Sequence, residues 1–68
     1  MIAIYSKHAR TQMITRGISE QEVREAIQSG TKHMQDEEKI VSEYRYFAVV
    51  YRILEKDKYY IITVKPRN

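Results

Sequence analysis

The sequence predicts an α+β fold: two N-terminal helices packed on one face of a three- to four-stranded antiparallel sheet. Three observations carry that expectation. Serine caps and glycine stops bracket two short helical stretches ahead of Gly30. After Gly30 the hydrophobic spacing loses its helical period. From Tyr44 onward, aromatic and β-branched residues dominate, as strands prefer. The 68 residues suffice for one core, so the expected organisation is a single domain, 1–68. A chain of this size buries only about 60% of its unfolded surface, which keeps its stability modest.

The elements follow in order. Ser6 is placed to cap a helix from Lys7 to Arg16, and Gly17 fits the left-handed position that ends it. Ser19-Glu20-Gln21-Glu22 reads as a capping box, with Glu20 and Glu22 suited to the positive end of a helix. Val23, Ala26 and Ile27 then form an i, i+3, i+4 apolar stripe, closed by Gly30. His33 to Asp36 and Lys39 to Glu43 are weak strand candidates around the acidic turn Asp36-Glu37-Glu38. Tyr44 to Leu54 reads as one long strand, Glu55 to Lys58 as a turn, and Tyr59 to Lys65 as the last strand before Pro66.

With Lys56-Asp57 as a two-residue turn, Glu55 faces Lys58 as a cross-strand charge pair. The same register sets Ile53 opposite Tyr60, Tyr51 opposite Ile62 and Val49 opposite Val64. Alternation then gives a helix-covered face of Phe47, Val49, Tyr51, Ile53, Tyr60, Ile62 and Val64. The other face, expected to be open, collects Tyr46, Ala48, Val50, Arg52, Leu54, Tyr59, Ile61, Thr63 and Lys65.

Composition narrows the function. There is no cysteine, so neither a disulfide framework nor a thiolate zinc site is available. Two histidines and turn-bound carboxylates do not assemble a metal-ligand pattern, and no phosphate-cradling or dinucleotide glycine motif is present. Neither a metal nor a cofactor is expected. The longest apolar run, Phe47 to Tyr51, is far short of the roughly 20 residues of a membrane helix. The start has no signal-peptide layout, and the expected setting is cytoplasmic.

Twelve Lys and Arg stand against nine Asp and Glu, for a net charge of +3. Their placement is uneven. Met1 to Ser19 carries Lys7, Arg10 and Arg16 without an acid, and the tail beyond Tyr59 carries Lys65 and Arg67 without one. If those two segments meet in space, they present a basic face suited to a phosphate backbone or an acidic protein.

His8, Gln12 and Arg16 stand four apart and line one flank of the first helix, either as boundary residues or as a site. Histidine can exchange protons near neutrality, and arginine holds phosphate oxygens with a planar fork. Six tyrosines are many for this length. Most suit half-buried strand positions, while Tyr46 and Tyr59 beside Arg52 have the rings to stack on unpaired bases.

Ser6-Lys7-His8-Ala9-Arg10-Thr11-Gln12-Met13-Ile14-Thr15-Arg16-Gly17-Ile18-Ser19 resembles the start of the family called domain of unknown function 4258. The end, Val49-Val50-Tyr51 through Ile61-Ile62-Thr63-Val64-Lys65-Pro66, resembles that family's closing hairpin. The resemblance implies two helices followed by an antiparallel sheet, similar to the RelE/ParE-like and barnase–EndoU–colicin-type toxins. It further implies roles for His8 and Arg16 on the helix and for Thr63 and Lys65 on the last strand. One departure is Gln12, where the family often has arginine.

The expectation is a small RNA-directed protein, in its strongest form a metal-independent endoribonuclease of toxin type. His8 would be the acid or base, Arg16 and Arg52 the phosphate clamps, Lys65 a further cation and Thr63 a hydrogen-bond donor. Lys7, Arg10, Tyr46, Tyr59 and Arg67 would contact the nucleic acid. The alternatives are a non-catalytic binding or inhibitor protein with an antitoxin or other protein partner, and a small homodimer joined through a strand edge or the open face.

Overall fold

Local capping chemistry sets the first half of the chain. The computed structural model describes residues 1–67, in the order β1 (Ile2–Tyr5), α1 (Lys7–Arg16), α2 (Glu20–Ser29), β2 (Thr31–Met34), β3 (Ile40–Tyr44), β4 (Phe47–Glu55) and β5 (Lys58–Pro66). Ser6 is extended, and its hydroxyl accepts the Ala9 N–H at 2.9 Å. Gly17 takes the left-handed conformation, φ 68°, that terminates α1. At α2 both halves of the capping box form, Glu22 N–H to Ser19 Oγ and Ser19 N–H to Glu22 Oε1. Both helices therefore lie where the sequence places them.

Gly30 ends α2 for a reason of space. Its backbone is extended, and a Cβ there would run into the Ser42 hydroxyl and the Ala26 and Glu43 carbonyls. The helix thus enters β2 at backbone-to-backbone distance from β3. Ser42, the buried polar residue of the described core, donates its hydroxyl to the Ala26 carbonyl, so its burial leaves no unmet hydrogen bond.

The sheet is larger than expected, and mixed. Five strands lie in the order β1-β5-β4-β3-β2, with β1 parallel to β5 and the other neighbours antiparallel. The segment read as one strand from Tyr44 to Leu54 is broken: Tyr44 pairs with Phe47 across a two-residue turn at Arg45-Tyr46. Arg45 takes a φ of 53° there, a conformation uncommon for a residue other than glycine, so no glycine marks the turn in the sequence. The acidic turn forms as expected, with the Asp36 carboxylate accepting the Glu38 and Lys39 N–H groups, both at 2.9 Å. It sits at the end of β2, which begins two residues earlier than its sequence reading.

The β4–β5 hairpin agrees with the expected register at its ends and departs in the middle. Glu55 pairs with Lys58, joined by a 3.0 Å ion pair, and Val49 pairs with Val64. Between them Tyr51 pairs with Ile61 and Ile53 with Tyr59. A bulge at Ile62 on β5 and a second at Leu54 on β4 cancel, so the register slips by one residue and recovers. Tyr60 and Ile62 consequently change faces with Tyr59 and Ile61.

Both helices cover one face. Ala9 and Met13 of α1, Ile18, and Val23, Ala26 and Ile27 of α2 pack with Phe47, Val49, Tyr51, Ile61 and Val64 into the main core. Full burial of the larger of these, such as Val23, Val49, Val64, Ile61 and Phe47, is worth about 1.5–3 kcal/mol each. The opposite face has no helix on it, only a small cluster of Val41, Ala48 and Val50 with Ile62 against them. Among the described residues, no helix is long and apolar enough to cross a membrane.

Candidate functional site

Strand pairing fixes what the helix-free face presents, because directly opposed residues share a side. One row runs His33–Val41–Val50–Thr63 across β2, β3, β4 and β5. A second runs Thr31–Glu43–Ala48–Lys65. A third runs Arg52–Tyr60–Ile4 across β4, β5 and β1. Arg52, Thr63 and Lys65 therefore meet on the open face, as expected. They do not converge on a point. Lys65 lies opposite Ala48, four residues from Arg52 along β4, or about 13 Å. They form a track with Thr63 between two cations.

Charge pairing sorts the other candidates. Arg10 donates to Glu20 at 2.8 Å and lies 4.6 Å over the Tyr5 ring. Glu20 is held below the usual carboxylate range, first by that hydrogen bond. Arg67 faces Glu43 at 3.8 Å, while its N–H and Nη1 donate to the Tyr46 and Arg45 carbonyls. Arg10 and Arg67 are thus committed within the fold. Lys7, Arg16, Arg52 and Lys65 have no acidic partner among the described residues.

His8 and Lys7 stand exposed on the first turn of α1, in the helix layer. Among the described residues no hydrogen bond joins His8 to Arg52, Thr63 or Lys65, and Arg16 is eight residues further along the helix, about 12 Å away. The histidine on the open face is His33, which the sequence reading set aside. The signal that would have found it is the β2–β3 register, invisible in a weakly patterned strand.

The tyrosines correct the expected faces. Tyr59 belongs to the covered face, its ring 5.8 Å from that of Tyr51, because of the bulge pair. Tyr46 is not on the open face either: it sits in the β3–β4 turn, 57% exposed, with its ring 5.3 Å edge-on to Phe47. There it lines the same groove as Arg16. A groove of about 330 Å³ is lined by Thr15, Arg16, Ile18, Tyr46, Phe47 and Pro66. Gln12 completes the helix row in an unexpected way, its Oε1 accepting the Arg16 Nε–H at 3.1 Å. That bond fixes the direction of the Arg16 guanidinium.

The two acid-free segments do meet, since β1 lies beside β5 and α1 packs on it. No curated protein and no solved structure matches the chain significantly. The sequence model of one family, described as domain of unknown function (DUF4258), matches residues 5–65, from the end of β1 almost to the end of β5, and the chain belongs to that family.

Proposed function

We propose that the protein is RNA-directed and holds a phosphate backbone along the open sheet face. The observation that carries this reading is the Arg52–Thr63–Lys65 track on a helix-free face, with neither cation neutralised by a carboxylate among the described residues. Two such cations about 13 Å apart suit separate phosphates of one strand better than a single clamped group. The likeness to RelE/ParE-like and barnase–EndoU–colicin-type toxins belongs to this proposal, supported by two helices backing one face of a sheet whose other face is open.

In its catalytic form the reading is metal-independent cleavage. The RNA 2′-oxygen attacks phosphorus, its proton passes to a base, and the departing 5′-oxygen takes a proton from an acid, leaving a cyclic phosphate. His33 lies on the same face as the track and is the better placed of the two histidines for that exchange. Titration of labelled RNA tests the binding. Affinity should fall about tenfold or more between roughly 50 and 200 mM salt. Arg52→Ala and Lys65→Ala should each flatten the salt slope by about one. Binding that ignores salt, or is unchanged in both variants, defeats the reading.

A second reading rests on the apolar neighbours of the track. Ile2 and Ile4 are exposed, and the half-buried Ile62 lies on the same face. That mixture also suits a protein, whether an antitoxin-like partner or a second copy of this chain. A mass that rises with concentration would favour the second copy.

A further inference from the structure

The track ends beside a second feature that phosphate binding leaves unused. Lys65 is followed by Pro66, which pairs with Phe47 on the helix side and forms one wall of the groove beneath the end of α1. A strand leaving the track therefore turns over the end of the sheet to reach it. Three separate pieces of chain build that groove: the last turn of α1 with Ile18, the Arg45-Tyr46 turn, and the end of β5. Its floor is apolar and fixed, since Ile18 and Phe47 are core residues. Its walls are two flat groups. The Tyr46 ring stands out from the turn, braced at its edge by Phe47, and the turn is tied to the strand end by Arg67. The Arg16 guanidinium is oriented by Gln12 and carries no acidic partner among the described residues.

We infer that this groove receives one unpaired nucleobase of the strand whose phosphates lie along Arg52, Thr63 and Lys65. This rests on the reading of the open face as an RNA surface and specifies its ligand as single-stranded. Unstacked bases bind by lying on aromatic rings and arginine planes, and the groove offers one of each above an apolar floor. At about 330 Å³ it is at the small end of ligand sites, with room for a heterocycle but not for a paired duplex. The surrounding charge is complementary, because neither Arg16 nor Lys65 has an acidic partner among the described residues.

The test compares a short fluorescent single-stranded RNA with a hairpin duplex of related sequence, binding to the whole protein at low salt. The single strand should bind more tightly. Tyr46→Ala should weaken the single strand roughly five- to a hundredfold, the usual worth of one stacked base, and leave the duplex unchanged. Tyr46→Phe should retain binding, because the ring and not the hydroxyl is the contact. Salt dependence should be unaltered in both variants, and melting temperature, measured on the same samples, checks the fold. Equal affinity for strand and duplex, or indifference to Tyr46→Ala, would overturn the groove while leaving a salt-sensitive backbone surface standing. Failure of the wild type to bind either RNA would remove that surface and the groove with it.

Discussion

Ala26, Gly30 and Ser42 meet at a single point. The Ala26 carbonyl accepts from both the Gly30 N–H, at 2.8 Å, and the Ser42 hydroxyl, and no space remains for a side chain at position 30. Gly30→Ala should therefore destabilise the protein by about 1–3 kcal/mol, the cost of overpacking a filled site. Ser42→Ala removes one buried hydrogen bond but leaves the carbonyl its helix partner, so it should cost only about 1 kcal/mol. Chemical denaturation of the two variants checks the order. Ser6 works in a similar double role, accepting the Ala9 N–H while donating to the Ile62 carbonyl at 2.7 Å. Ser19 caps α2 through a contact with its own helix only. Ser6→Ala should thus cost more than Ser19→Ala, for which about 1 kcal/mol is typical.

At the scale of elements, the β2–β3 hairpin carries an acid-sensitive turn. The Glu38 and Lys39 N–H groups hold the Asp36 carboxyl below its ordinary range. A depressed folded-state pKa stabilises above the unfolded value and loses that contribution as pH falls through the folded one. The turn should keep its full contribution above about pH 4 and loosen below it. Protection of the Lys39 amide, taken relative to its intrinsic exchange rate at each pH, should fall in that acid window, and Asp36→Asn should flatten the dependence. What could be read in advance also divides by element. Both helices were legible because caps, stripes and stops are local. β1 was not, since Ile2 to Tyr5 gains its partner from residues at the other end of the chain. The turn at Arg45-Tyr46 hides inside an aromatic run, and the paired bulges leave no residue type behind. The site was legible to the same degree. Arg52, Thr63 and Lys65 follow from alternation, whereas Tyr46, Tyr59 and His33 depend on turns and registers that local pattern does not encode.

For the whole molecule, the parallel β1–β5 pair is the seam. β1 covers one edge of β5, and Ala3 and Tyr5 add to the main core from that strand. Deleting residues 1–5 should lower the melting temperature and leave β5 as an open edge prone to pairing between molecules. Light scattering beside a melting curve would register both effects, and a truncated chain as soluble and stable as the full one would count against the seam. The same strand order has a temporal side. β1 leaves the ribosome well before β5, and α1 waits for β5 as well, so β1 stays unpartnered until the other four strands have been made. Assembly is therefore postponed until β5 emerges: the growing chain gains little by folding piecewise, and the sheet closes in one step when β5 slides between β1 and β4.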